Sequence, residues 1–149
     1  MTAPGDFSSG AVLTAADMNA LPGAVMGYNR NASPPNLTTS EQTLATVTFT
    51  AVAGRLYLLA GNALCFGFNA AGVFIMRLKE GSDRYGEFIG SAANTTQDVI
   101  GGTVSGFFTG SGSTTIDLVG LVAEGASSAT TGTNTNADPY LIVVDVGPS

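Results

Sequence analysis

The side chains that most often carry out catalysis are scarce in this sequence. Its 149 residues contain no histidine, a single lysine (Lys79) and a single cysteine (Cys65). A hydroxyl nucleophile usually needs an adjacent base, most often histidine, and Lys79 follows Arg77 on what we expect to be a solvated strand face. Cys65 lies in the apolar run Leu64-Cys65-Phe66, which predicts a small buried thiol rather than a reactive one. These residues therefore indicate no nucleophilic catalyst.

Carboxylates are the remaining candidates for chemistry. Two pairs of carboxylates are close enough in sequence to be candidate acid–base pairs for glycoside hydrolysis: Asp83 with Glu87, and Asp117 with Glu124. Such carboxylates are more often turn formers or surface charges, and the chain has no tryptophan to stack on a sugar ring. Loop oxygens could still bind Ca²⁺, although no Asp-x-Asp-x-Asp-Gly loop is present. We expect no enzyme, no cofactor and no metal site, and keep a glycan-cleaving enzyme as a remote alternative.

The charge of the chain argues against two classes of partner. The formal net charge is −6, and the five basic residues are scattered along the sequence. Binding of a nucleic acid backbone or an anionic membrane surface requires clustered Lys and Arg side chains. We therefore expect no nucleic acid and no membrane among the partners.

The rest of the composition indicates an all-β protein. Charged residues make up 11% of the chain, against about 25% in ordinary domains, and 12 Ser, 18 Thr and 20 Gly take their place. The segment Thr46–Thr50 alternates hydroxyl and apolar side chains, which is typical of a half-buried strand. Further strands are predicted at 55–60, 73–79, 84–89, 99–109, 114–123 and 140–146.

About eight strands at short, regular spacing predict a single antiparallel β-sandwich, jelly-roll-like, over residues 31–149. Residues Gly125 to Asp138 form a polar, low-complexity stretch. We expect it to be an exposed and mobile loop.

Residues 1–30 have a different pattern and are predicted to be an N-terminal arm with one short helix. Thr14 and Asp17 have the spacing of a capping box, and Pro22-Gly23 ends the helical segment. A helix this short is marginal alone, so the arm needs a surface, either its own domain or a partner subunit. The candidate partner-binding residues are Val12, Leu13, Thr14, Asp17, Met18 and Leu21.

Three stretches together resemble a family. They are residues 11–23 (AVLTAADMNALPG), 46–57 (TVTFTAVAGRLY) and 138–148 (DPYLIVVDVGP). In this order they are similar to the small virion structural proteins of tailed phages that infect actinobacteria, which are capsid decoration or minor tail proteins. The likeness spans the whole chain and is most specific in the first stretch. Leu56 replaces a common basic residue and Val144 a common acidic one, which weakens inferences about surface charge.

The resemblance implies a structural role in the virion. The first hypothesis is a capsid decoration (cement) protein, a homotrimer on the outer surface of the head. Its arm then anchors to the major capsid protein or to a neighbouring virion subunit. The alternative is a minor tail or tail-fibre protein that contacts the host surface, with Gly125–Asp138 at the contact. Because the N-terminus lacks the basic and apolar regions of a secretory signal, we expect synthesis in the host cytoplasm.

Overall fold

A computed structural model describes residues 23–93, 98–132 and 138–149. Within these ranges the chain contains strands and no helix. The strands are β1 (Val25–Arg30), β2 (Leu37–Thr38), β3 (Gln42–Ala51), β4 (Arg55–Phe66), β5 (Gly72–Glu80), β6 (Asp83–Ala92), β7 (Val99–Thr109), β8 (Gly112–Ala123), β9 (Ser128–Thr131) and β10 (Tyr140–Pro148). The expectation of an all-β fold is confirmed for this part of the chain.

The first sheet is organised around the long strand β4. β7 pairs with β4 along its whole length, from Leu56 to Phe66. On the other side β10 pairs with β4, and β1 pairs with β10. β9 continues that side at Cys65 and Phe66, and β2 follows β9. Every one of these pairings is antiparallel.

The second sheet has four strands in the order β3-β8-β5-β6, and its pairings are also antiparallel. Its inner side chains meet those of the first sheet in one hydrophobic core. Successive residues of a strand point to opposite faces. In β5, Met76 and Leu78 are therefore fully buried while Arg77 and Lys79 lie on the outer face.

An aromatic cluster fills one end of this core. The rings of Phe49, Tyr57 and Tyr85 all lie within 6.0 Å of the ring of Phe108, measured between centroids. The phenol of Tyr57 accepts a hydrogen bond from the backbone N–H of Val52 at 2.8 Å. The cluster joins strands of both sheets and so fixes their relative position.

The two sheets approach each other differently at their two sides. On one side β6 and β7 touch through glycines: a Cβ on Gly106 would lie 2.1 Å from the carbonyl oxygen of Tyr85, and one on Gly86 would lie 2.5 Å from that of Ser105. On the other side amides cross to β3 from β1 and from the residue that follows it. The Asn29 side chain donates to the Thr46 carbonyl at 2.8 Å, and the Asn31 side chain donates to the Leu44 carbonyl at 2.8 Å.

The strands predicted at 46–50, 55–60, 73–79, 84–89, 99–109, 114–123 and 140–146 are confirmed, each within an observed strand. The prediction of an exposed loop over Gly125–Asp138 is wrong for the residues described there, 125–132 and 138, because they include β9 and buried residues. Ala129, Thr131 and Asp138 are all buried. The side chain of Asn69 holds this segment in place, because its Oδ1 accepts hydrogen bonds from the N–H groups of Ser127 and Ser128 at 2.8 and 3.0 Å.

The predicted arm lies mostly outside the described residues. Its six candidate binding residues and its helix fall within residues 1–22, of which the structure describes none. Residues Val25–Arg30, at the end of the predicted arm, form strand β1. The backbone N–H of Gly23 already bonds to the Asp145 carbonyl at 2.6 Å, so the described chain begins at the edge of the first sheet. The arm helix and the division at residue 30 stay predictions.

Candidate interaction surface

The outer face of the first sheet is apolar across four adjacent strands. Leu58 in the middle of β4 lies opposite Val144 of β10 and Phe107 of β7, and Val144 lies opposite Val25 of β1. Side chains directly opposite one another in antiparallel strands are about 5 Å apart at Cβ. These four side chains therefore form a continuous apolar row.

A second row lies beside the first. It runs from Tyr28 through Ile142 to Ala60. We define the apolar face by six residues of these two rows: Val25, Tyr28, Leu58, Phe107, Ile142 and Val144. Three of these side chains are exposed: Val25 (59%), Tyr28 (57%) and Phe107 (60%). Further along β4, beyond the polar Asn62, Phe66 lies opposite Val99 of β7.

The composition of β4 and β10 explains this face. In most antiparallel sheets one face is packed and the other is polar, but in β4 both alternating sets are largely apolar. Leu59 and Cys65 point into the core, whereas Leu58 and Leu64 point outwards. In the same way Val143 of β10 is fully buried and Ile142 is half-buried on the outside.

The charged groups of the first sheet are directed away from the apolar face. Asp145 points inwards at the end of β10, where its Oδ2 accepts from Arg55 Nε and its Oδ1 from the Gly147 N–H at 2.9 Å. Arg30, at the corner of the face, is paired with Asp138 at 2.7 Å. Among the described outward residues of β1, β4, β7 and β10, Arg30 is the single charged one.

A more polar end adjoins the apolar face. Tyr28 and Tyr140 have ring centroids 6.3 Å apart, with the planes tilted by 37°. Asn62 lies opposite Tyr140 and donates to the Gly102 carbonyl at 2.9 Å. This end therefore places two aromatic rings beside an ordered amide.

Much of the outer face of the second sheet is built differently, from hydroxyls and ion pairs, beside an apolar row of Ile89, Ile75 and Leu121. We call it the polar face and define it by Glu41, Thr46, Thr48, Arg77, Lys79, Glu87 and Asp117. Glu41 bridges Arg77 (2.8 Å) and Lys79 (2.5 Å), and Arg77 also pairs with Glu87. Thr46 donates to Asp117 at 2.6 Å.

The ion pairs shift the pKa of two groups on the polar face. Hydrogen bonds from Lys79 and then Arg77 lower the pKa of the Glu41 carboxyl, because they favour its charged form. The hydrogen bond to Glu87 raises the pKa of the Arg77 guanidinium for the same reason. The expectation of a solvated face for Arg77 and Lys79 is thus corrected: both side chains are largely covered within a network centred on Glu41.

The structure does not bring the candidate catalytic carboxylates together. Glu87 is paired with Arg77, while Asp83 lies at the far end of the hairpin, opposite Glu80. Asp117 lies within β8, and Glu124 follows the end of that strand. The extended chain from Asp117 to Ala123 alone spans about 20 Å between Cα atoms, beyond the about 5–9.5 Å between carboxyl groups in glycosidases.

Other candidates are also accounted for. Cys65 is fully buried, as expected, and burial raises the pKa of its thiol to about 12. Among the described residues no group of His, Cys, Asp or Glu side chains could hold a metal ion. No helix long and apolar enough to cross a membrane occurs in the described ranges.

A cleft of about 320 Å³ lies between β1 and β3 and is lined by Asn29, Asn31 and Thr43 among others. Its two amides are the ones that already bridge the sheets. Close to β1, Asp138 Oδ1 is buried without a hydrogen-bond partner among the described residues, while Oδ2 accepts from Arg30. The amides of this cleft thus serve to hold the edges of the two sheets together.

Comparisons with known proteins found distant likeness only. No family model and no curated protein matches the chain. Among solved structures, the sugar-binding C-terminal domain of EclA aligns at 14% identity and a TM-score of 0.38, over 94% of this chain and 86% of that one. A structure described as "CBM4 structure and function" aligns at 14% identity and a TM-score of 0.33, over 85% and 78% of the two chains.

Proposed function

We propose that this chain is a structural protein of a phage virion, specifically a decoration (cement) protein that binds the outer surface of the head. The single observation that carries the proposal is the apolar face. An exposed apolar surface that spans several strands is typical of an interaction site rather than of a free surface. The resemblance of residues 11–23, 46–57 and 138–148 to small virion proteins directs this general role to the virion.

The strand order supports the finer description of the fold as a jelly-roll sandwich. With the short strands β2 and β9 set aside, eight strands remain. Their sheets run first-eighth-third-sixth (β1-β10-β4-β7) and second-seventh-fourth-fifth (β3-β8-β5-β6). This is the order of a jelly roll, an architecture that many viral capsid proteins use.

In this proposal the arm provides the anchor to the shell. The described chain begins at Gly23, next to Val25 at the rim of the apolar face, and 22 residues precede it. Val12, Leu13, Met18 and Leu21 supply apolar contacts to the major capsid protein or a neighbouring subunit, and Thr14 and Asp17 cap the helix that carries them. A subunit that binds only the assembled shell stabilises the shell by mass action.

The assembly state in the proposal is a homotrimer on the exterior of the capsid. The second candidate is a minor tail or tail-fibre protein that contacts the host surface. The observation that favours this alternative is the exposed Tyr28 with the half-buried Tyr140 beside Asn62, because tyrosine rings next to an amide suit a polar ligand. We do not propose the glycan-cleaving enzyme, since the carboxylates on which it depended are paired or far apart.

Binding to particles that lack this protein tests the proposal. Full-length protein is added to such particles, and bound copies are counted by quantitative mass spectrometry and located by particle reconstruction. Decoration predicts hundreds of copies on the head. A handful of copies at the tail supports the alternative, and no binding contradicts both.

The arm is tested in the same assay. The double substitution Leu13→Asp and Met18→Asp is expected to abolish binding, because it places charges in the apolar contacts. Ser9→Asp, in the same segment, is the matched control and is expected to bind as the wild type does. A double variant that binds normally would show that the arm is not the anchor.

A further inference from the structure

The apolar face has no partner among the described residues, although three of its side chains are more than half exposed. We propose that this face is covered by another copy of the same chain. The proposal deepens the assembly stated above, because it names the surface through which the subunits associate. Since the arm is assigned to the shell, the two surfaces act independently.

The outer surface of the first sheet, of which the apolar face is a part, has about the area that a stable association of proteins requires. This surface is four strands wide, and β4 is 12 residues long. Strands spaced about 4.8 Å apart, with about 3.3 Å per residue, give it on the order of 600–700 Å² in projection, of which the two rows of the apolar face make up about 250 Å². A standard interface takes about 800 Å² of accessible surface from each partner, and accessible surface exceeds projected area.

The charge distribution favours another copy as the occupant. Each chain has a formal net charge of −6, so two copies repel each other least where the surfaces that meet carry no charge. Phe107, Leu58 and Val144 form a charge-free centre, and Arg30 at the corner is neutralised by Asp138. The centres of protein interfaces are depleted of charge and rich in aromatic residues in the same way.

A substitution at Phe107 tests the proposal with a matched control on the other sheet. Phe107 and Ile89 are equally exposed, at 60% and 59%, but Ile89 lies on the outer face of β6. Phe107→Glu is expected to weaken self-association of the full chain by at least about 30-fold, as for a central interface residue. Ile89→Glu is expected to leave it unchanged, and Phe107→Leu is expected to retain it.

Sedimentation velocity over about a hundred-fold range of protein concentration is the measurement. We expect the wild type and the Ile89→Glu variant to associate. We expect the Phe107→Glu variant to stay monomeric, with an unchanged near-UV circular dichroism spectrum. A wild type that is monomeric throughout, or a Phe107→Glu variant that associates as the wild type does, overturns the proposal. Loss of association in Ile89→Glu alone also overturns it.

The same preparations separate this inference from the proposed function. If the wild type self-associates but does not bind particles, the apolar face is still a self-association surface, and the proposed role in the virion is wrong. If the wild type binds particles as a monomer, the role in the virion is supported, and the assignment of the apolar face to self-association is wrong. The mass of the assembly reports its order: three copies agree with the homotrimer, and two copies keep the face but contradict the trimer.

Discussion

The outer faces of the two sheets differ although the strands beneath them follow the same alternation. On the polar face, Arg77, Lys79 and Glu87 meet Glu41 in a network of ion pairs. On the apolar face the corresponding positions are occupied by residues such as Leu58 and Phe107. The charged groups of the polar face satisfy one another, whereas the apolar face leaves apolar area in water, which is unfavourable.

Two neighbouring phenylalanines in β7 differ in whether the hydrophobic core accounts for their position. Phe107 and Phe108 are neighbours in β7, yet Phe108 is 4% exposed within the aromatic cluster and Phe107 points to solvent. The core accounts for the position of the inner residue. Nothing within the described chain requires an aromatic residue at the outer position, which is why we assign Phe107 to the proposed interface.

The largest expected effect distinguishes these two phenylalanines. Phe108→Ala should lower the free energy of unfolding by about 3–5 kcal/mol, because it removes a buried ring that packs against three others. Phe107→Ala should change it by less than about 0.5 kcal/mol when the protein is monomeric. Urea unfolding of both variants at low protein concentration is the measurement. Similar losses for both would mean that the outer face also supports the fold.

A smaller effect is expected at the centre of the polar face. Glu41→Gln removes the carboxylate shared by Arg77 and Lys79 and should cost about 0.5–1 kcal/mol, as for partly exposed ion pairs. The loss should shrink in high salt, because screening weakens the pairs in the wild type. Ser40→Ala is a nearby control that leaves these ion pairs in place. A loss that is independent of salt would contradict the electrostatic origin.

The wild type and the Glu41→Gln variant should also differ in how their unfolding free energy depends on pH. Because the pKa of Glu41 is lowered in the folded protein, its carboxylate stabilises the fold at pH values above the ordinary pKa of Glu. This contribution is lost as the pH falls through the lowered pKa of the folded state. The difference in unfolding free energy between the wild type and Glu41→Gln should therefore vanish in acid. A difference that grows in acid would contradict the assignment.

The smallest effect is expected for the hydroxyls. Thr48 and Thr115 share a hydrogen bond of 2.9 Å on the polar face, and exposed cross-strand pairs contribute little. Thr48→Val should change the unfolding free energy by less than about 0.5 kcal/mol, since valine keeps the shape and the preference for strands. It should not raise self-association above that of the wild type. Larger or tighter oligomers of Thr48→Val than of the wild type in sedimentation would show that one added apolar residue suffices, and would weaken the case for the apolar face.

Much of the fold could be predicted from the sequence, because alternation in a strand is a local pattern. Thr46–Thr50 and residues 73–79 showed it, and both lie in observed strands. The segment 128–131 (SATT) showed no such pattern, because its order comes from hydrogen bonds to Asn69 far away in the sequence. Long-range partners of this kind leave no local signature.

The two faces could be predicted only in part. The apolar character of both alternating sets in β4 was visible in residues 55–66, but the alignment of Leu58 with Val144 and Phe107 depends on register between distant strands. Likewise, Arg77 and Lys79 were recognised as an outward pair, while their partner Glu41 lies 36 residues before Arg77. Which charges are paired is a property of the folded sheet.

The most direct test of the central claim is hydroxyl-radical footprinting of the full-length protein, free at low concentration and assembled on particles. Tyr28 and Phe107 report on the apolar face, and Ile89 reports on the outer face of the other sheet. Our account predicts that Tyr28 and Phe107 are oxidised in the free protein and protected after assembly, while Ile89 is oxidised equally in both. Oxidation of Tyr28 and Phe107 that does not change on assembly would contradict it.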